Sequence, residues 1–122
     1  MNSCDDYTLY VIVNNDLGMG KGKIAAQVGH VVEKIVERIF NMPYVGQNNK
    51  NMIDNYKVYT MTGNKKIVLK GTQKDLEELS NERDAVHIID AGRTQIEAGS
   101  LTVVGFLPSN KNKQRFSKFK LL

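Results

Sequence analysis

The chain alternates short β-branched segments with stretches of helical periodicity, and this alternation most limits the fold it can adopt. Tyr7 to Val13 is short, aromatic and β-branched, which predicts a buried first strand. After a glycine-containing loop, apolar residues recur at intervals of three and four until Met42-Pro43, where proline ends the predicted helix. Further strands are predicted at residues 66–70, 85–91 and 101–107. The order β-α-β-α-β-β-α places helices on the faces of one sheet.

Two local features refine this prediction. Thr72 and Asp75 have the spacing of a capping box, which predicts a helix from Gln73 to Arg83. The link between the last two strands, residues 92–100, is too short for a crossover helix, so those strands are expected to be antiparallel neighbours. We therefore predict an α/β fold: a three-layer sandwich in which a four-stranded mixed β-sheet is flanked by helices.

The 122 residues fit a single domain, and 41% apolar residues can fill its core. Residues 1–6 are polar and acidic, so we expect a flexible N-terminus and neither a signal nor a transit peptide. No apolar run approaches the length of a membrane span. Residues 44–64 are the least informative, and Ile53 to Thr62 are compatible with a strand, a short helix or a flap.

The entry into the first helix is the first candidate site. Lys23 falls in the first turn, where free backbone N–H groups and the helix dipole favour an anion. On a helical wheel Lys23, Gln27, His30 and Lys34 share one narrow band, away from the apolar residues. The loop lacks the Walker pattern, because Ile24 occupies the hydroxyl position, and its glycine spacing is not that of a dinucleotide fold. An anion site and a glycine-rich turn with a solvated helix face both remain open.

The end of the third predicted strand is the second candidate site. Asp90 follows Val-His-Ile-Ile, and ligands of open α/β sheets gather outside the carboxyl ends of strands. Arg93 and Thr94 follow at once, and Thr102 begins the next strand. A purely structural Asp90–Arg93 ion pair is the alternative. His87, inside the strand, is expected to be a packed or surface imidazole.

Charge and composition limit the chemistry and the partners. The net charge is +4, no acidic residue follows Glu97, and the C-terminal tail contains five basic residues, Lys111, Lys113, Arg115, Lys118 and Lys120. A one-sided basic surface favours a polyanion such as nucleic acid, although a lysine-rich tail also serves solubility. One cysteine and two histidines cannot form a typical zinc site, and no serine nucleophile elbow is present. The single cysteine suits a reducing, cytoplasmic setting.

Several segments together resemble the peptidyl-tRNA hydrolase 2 family, the archaeal and eukaryotic type. They are Asp16-Leu17-Gly18-Met19-Gly20-Lys21-Gly22-Lys23-Ile24-Ala25-Ala26-Gln27-Val28-Gly29-His30, Lys66-Ile67-Val68-Leu69-Lys70, Asp90-Ala91-Gly92-Arg93-Thr94-Gln95-Ile96, Gly99-Ser100-Leu101-Thr102-Val103 and Lys120-Leu121-Leu122. Their order and spacing agree over essentially the whole chain. The resemblance implies one peptidyl-tRNA hydrolase 2-like domain over residues 1–122.

The resemblance also implies a function, namely hydrolysis of the ester bond between the peptidyl group and the 3′ end of tRNA. Members of this family are carboxylic ester hydrolases, and their activity recycles tRNA from aborted translation. By motif position, Lys23, Asp90, Thr94 and Thr102 are the implied catalytic set. The implied substrate- or tRNA-binding residues are Lys21, Gln27, His30, Lys34 and Arg93. Lys23 would stabilise the oxyanion, and Asp90, alone or through Thr94 or Thr102, would activate water, with no metal and no cofactor.

The expected partner is peptidyl-tRNA, with no membrane, and a homodimer is one of the oligomeric states left open. A non-catalytic RNA-binding or adaptor protein of the same fold is the alternative function. The chain departs from the family pattern at Asn14-Asn15, at residues 41–64, which lack the usual tryptophan, and at Phe106 to Ser109. These departures concern substrate contacts more than the chemistry.

Overall fold

The computed structural model describes residues 7–41, 47–91 and 99–122, with the side chains of 47–49 excepted. The expectation of flexibility for residues 1–6 lies outside this range. The strands are β1 (Leu9–Asn14), β2 (Lys66–Gly71), β3 (Ala85–Ile89), β4 (Leu101–Phe106) and β5 (Lys120–Leu121). The helices are α1 (Lys21–Asn41), α2 (Gln47–Met61), α3 (Gln73–Leu79) and α4 (Asn112–Arg115), and a short 3₁₀ turn covers Asn15–Leu17.

The five strands form one mixed sheet in the order β3-β4-β1-β2-β5. β1 and β2 are parallel, and β4 runs antiparallel to both β1 and β3, as expected for the last two predicted strands. The prediction of four strands is therefore wrong. The fifth strand is only two residues long, pairing Lys120 with Lys70 and Leu121 with Leu69, and it is too short to show a period-2 pattern.

Helices cover both faces of the sheet. Alternate residues of β1 enter different cores: Leu9, Val11 and Val13 pack with Val31 and Ile35 of α1. On the other face of the sheet, Tyr10 and Ile12 pack with Leu76 of α3 and Phe116 beyond α4. The sandwich of helices, sheet and helices agrees with the predicted layering. No helix in the described ranges is long and apolar enough to cross a membrane.

One helix decides an alternative that the sequence left open, and another is shorter than predicted. The ambiguous segment before β2 is helical, as α2. The capping box at Thr72 forms with both of its hydrogen bonds, but α3 ends at Leu79 rather than Arg83. The reason is local, because the side chains of Ser80 and Asn81 both donate to the carbonyl of Glu77 and compete with the helical backbone.

Candidate active site

The first part of the site is the beginning of α1. Gly18 takes a left-handed conformation, φ 60°, at the end of the 3₁₀ turn, and the chain then enters the helix at Lys21. The amide of Ile24 donates to the carbonyl of Gly20 at 3.0 Å, which closes the first helical turn. Lys23 therefore lies in that turn, beside backbone N–H groups that helical hydrogen bonds leave unused.

The second part is the end of β3, which presents Asp90 to Lys23. The ammonium of Lys23 donates a hydrogen bond to Oδ1 of Asp90, and the two side chains are 10% and 3% exposed. The backbone of Asp90 is fixed as well, since its N–H donates to Ser100 O at 2.8 Å and its carbonyl accepts from Gly99 N at 2.9 Å. A nearly desolvated ion pair thus occupies the carboxyl end of β3, where α1 begins.

A β-bulge brings Thr102 to the same side of the sheet. Ile88 pairs with Val103 and Ile89 with Leu101, so Thr102 is the extra residue of β4. Regular alternation would place Thr102 on the α3 face with Val104, but the bulge reverses the pattern, and Leu101 instead joins the core on that face. The Thr102 side chain accordingly faces α1.

Gln27 is the partner of Thr102 on α1. Its Nε2 donates to Thr102 Oγ1 at 2.8 Å, and that hydroxyl donates to the carbonyl of Ile88 at 3.1 Å. Gln27 is 4% exposed and Thr102 is fully buried. This chain of hydrogen bonds ties α1 to β3 and β4 one helical turn beyond Lys23, so it fixes the distance between Lys23 and Asp90.

The polar band predicted on α1 therefore divides in two. Lys23 and Gln27 turn toward the sheet, whereas His30 and Lys34 are exposed and lie near acidic residues of the same helix, 3.8 Å from Glu33 and 3.6 Å from Glu37 respectively. Lys21 is also exposed. Arg93 and Thr94 lie outside the described residues. His87 is a surface residue, one of the two expected positions.

Asn14, at the carboxyl end of β1, is a buried polar residue that was noted from the sequence only as a departure from the family pattern. It is 1% exposed and makes three hydrogen bonds. Its amide donates to Gln73 Oε1 at 2.6 Å and to Leu101 O at 2.9 Å, and its side-chain oxygen accepts from Asp16 N at 3.0 Å. The signal was available: an asparagine directly after an apolar strand lies at the edge where such sheets form sites.

The basic residues of the C-terminal tail have two different kinds of surroundings. The guanidinium of Arg115 binds both carboxylate oxygens of Asp84, at 2.7 and 2.9 Å, and also contacts Glu82, so it joins the tail to the loop before β3. The hydrogen bonds that Arg115 donates to Asp84 raise the pKa of the Arg115 guanidinium. By contrast Lys118 and Lys120, with Lys70, line an open cavity of about 280 Å³ beside β5.

The chain is similar to a family of known proteins over nearly its full length. The family model described as "Peptidyl-tRNA hydrolase PTH2" matches residues 7–122. A protein named peptidyl-tRNA hydrolase from Methanocaldococcus jannaschii is 35% identical over 111 residues, covering 86% of this chain and 89% of that protein. Proteins with the same name from Methanococcus maripaludis and Saccharolobus islandicus are 36% and 33% identical, over 88% and 85% of this chain and 90% and 88% of theirs.

Proposed function

The chain belongs to the peptidyl-tRNA hydrolase PTH2 family and is a peptidyl-tRNA hydrolase, and we propose that it performs this reaction with Lys23 and Asp90. The substrate bond is the ester between the peptidyl carboxyl group and the 3′ oxygen of tRNA. The observation that supports the assignment is the Lys23–Asp90 pair, held nearly free of solvent where α1 begins and β3 ends. We take residues 1–122 as one such domain.

Lys23 is proposed to stabilise the oxyanion. When water adds to the ester carbonyl, negative charge develops on the carbonyl oxygen, and a fixed ammonium lowers the energy of that state. The first turn of α1 supplies backbone N–H groups and the positive end of a helix dipole in the same place. The low exposure of Lys23 strengthens this effect, because water screens its charge little.

Asp90 is proposed to orient and activate the attacking water. Its carboxylate accepts a proton as the water oxygen bonds to the carbonyl carbon. Collapse of the tetrahedral intermediate breaks the bond to the 3′ oxygen of tRNA, which takes up a proton as it leaves. The products are a free peptide and a tRNA with its 3′ hydroxyl restored. Thr94, by its motif position, is proposed to assist in placing the water.

Thr102 and Gln27 are proposed as positioning residues. The Thr102 hydroxyl accepts from Gln27 and donates to Ile88, and the residue is fully buried. Because of these contacts, we expect Thr102 to support the Lys23–Asp90 geometry rather than to contact the substrate. Gln27, which the sequence analysis grouped with the tRNA-binding residues, has the same supporting role.

The exposed basic side chains are proposed to hold tRNA phosphates. Lys21 is exposed at the beginning of α1, and His30 and Lys34 are exposed farther along the helix. Arg93 joins them by motif position. The lysines of the tail add positive charge beside β5. Arg115 is excluded from this group because its guanidinium is engaged by Asp84 and Glu82.

The direct test compares two forms of one aminoacyl-tRNA, one N-acetylated and one with a free amine. The wild-type protein should cleave only the acetylated form, and Lys23→Ala and Asp90→Ala should each reduce the rate by about 10²-fold or more. Salt-sensitive binding of tRNA without cleavage would instead support a non-catalytic RNA-binding or adaptor protein. We also propose a cytoplasmic location and a homodimer. Sedimentation of the purified chain tests whether it is a homodimer.

A further inference from the structure

β3 is the outermost strand on its side of the sheet, and it leads directly to Asp90. The sheet order begins with β3, and in the described parts of the chain no strand pairs with its outer side. An open strand edge exposes a row of backbone N–H and C=O groups that can pair with another extended chain. The edge of β3 is thus continuous with the site already described.

The hydrogen bonds at the two ends of β3 show which groups point outward. Leu107 N donates to Asp84 O at 3.1 Å, and Asp90 N donates to Ser100 O at 2.8 Å. In an antiparallel pair the residues that face the partner strand alternate. Since positions 84 and 90 face β4, positions 86 and 88 face it as well. His87 and Ile89 therefore direct their N–H and C=O groups toward the open edge.

The open edge is confined to the half of β3 next to Asp90. At the other half, Arg38 donates to the carbonyl of Ala85 at 3.0 Å, which occupies the outward acceptor there. The side chains of His87 and Ile89 are exposed, with Ile89 at 48%. Two outward residues span about 7 Å, enough for pairing with about three residues of an extended peptide.

We propose that the peptidyl part of the substrate binds as an added strand along His87–Ile89, parallel to β3, with its C-terminal ester at Asp90. This proposal rests on the proposed function. The ester must lie at the carboxyl end of β3, so a peptide that follows the edge from there runs in the same direction as β3. Pairing of this kind uses main-chain groups that every peptide has, and it recognises a peptidyl chain irrespective of its side chains.

The first test varies peptide length on one tRNA. We would compare kcat/KM of the full-length protein for N-acetyl-alanyl-tRNA and N-acetyl-tetraalanyl-tRNA. The longer substrate should be favoured about threefold to tenfold, the effect of one or two added hydrogen bonds. Equal values for both would overturn the added strand and leave the hydrolase intact. If neither substrate were cleaved, the proposed function itself would fail, and this inference with it.

The second test removes one outward N–H. His87→Pro lacks that donor but loses no bond to β4, and proline is tolerated on an edge strand when its N–H faces outward. His87→Ala is the matched reference, since it loses the same side chain and keeps the N–H. The preference for the tetraalanyl substrate should fall about threefold or more in His87→Pro relative to His87→Ala. Equal preference in the two folded variants would contradict the pairing.

A third measurement needs no protein variant and covers the case in which His87→Pro does not fold. Each amide of the tetraalanyl chain would be N-methylated in turn, which removes one peptide donor at a time. An added strand directs alternate residues toward β3, so methylation should reduce kcat/KM at alternate positions. Uniform effects, or none, along the peptide would reject the proposal.

Discussion

The ammonium of Lys23 donates a hydrogen bond to the carboxylate of Asp90 although the two residues are 67 positions apart in the sequence. Both side chains are almost withdrawn from solvent. Removing one member of such a pair leaves an uncompensated buried charge, whereas removing both does not. The pair thus links the stability of the fold to the proposed chemistry.

Lys23→Met is expected to lower the free energy of unfolding by about 3 kcal/mol, because Asp90 is left without its counter-charge. The double variant Lys23→Met with Asp90→Leu should regain most of that loss, while hydrolysis stays reduced by about 10²-fold or more in both. Urea unfolding and cleavage of N-acetylated aminoacyl-tRNA measure the two quantities. A double variant that regained activity with stability would remove both residues from the catalytic set.

Thr102→Val is expected to cost about 1–3 kcal/mol of stability, because the amide of Gln27 loses a buried acceptor. Thr102→Ser keeps the hydroxyl and should restore both stability and rate. For a positioning residue, kcat should fall in Thr102→Val with KM little changed. Loss of activity at wild-type stability would show instead that the hydroxyl touches the substrate.

The position of Thr102 illustrates what the sequence could and could not predict. The first four strands, α1 and the capping box at Thr72 follow from periodicity and motif spacing. The placement of Lys23 and Asp90 in one site was implied only by the family resemblance. The bulge that turns Thr102 toward Gln27 has no signature in the residues around it, because a strand with one extra residue reads like a longer regular strand.

The burial of individual polar side chains could not be predicted from the sequence either. A helical wheel places Lys23, Gln27, His30 and Lys34 on one polar band. It cannot show that the sheet covers the first two of these residues and leaves the last two exposed. α2 was ambiguous for a similar reason. Its polar composition gives a weak amphipathic pattern, and its place depends on tertiary contacts such as that of the Tyr56 ring with Phe40 of α1.

The salt dependence of kcat/KM should separate phosphate-binding cations from structural ones. Lys21→Gln and Lys34→Gln should each make the slope of log kcat/KM against log salt less steep by about 0.7–0.9, since each removes one phosphate contact. Arg115→Gln is the control, because Arg115 pairs with Asp84 within the fold. It should lower stability and leave the slope unchanged. A slope altered as strongly by Arg115→Gln would contradict this division.

The capping box of α3 should make stability depend on pH. A hydrogen bond from the Thr72 backbone is the main cause that lowers the pKa of Asp75 below 3.8. A lowered folded-state pKa contributes stability above the unfolded-state pKa and loses it as pH falls through the folded-state value. Asp75→Asn should therefore be less stable than wild type at pH 7, and the difference should shrink below about pH 4. Urea unfolding from pH 7 to pH 3 measures it, and a difference independent of pH would contradict it.

Gly105 lies where β4 packs against α1, and a larger residue there should lower the free energy of unfolding. A Cβ there would lie 2.9 Å from Ile35 Cδ1 and 3.0 Å from Val31 Cγ2, both in the buried core. Gly105→Ala is expected to cost about 1–3 kcal/mol, since a packed interior cannot absorb an added methyl group without shifts. Ile35→Val removes the nearest atom, so the Gly105→Ala, Ile35→Val double variant should lose less than the sum of the two single costs. Strictly additive costs in urea unfolding would show that α1 moves away as a whole rather than clashing at Ile35.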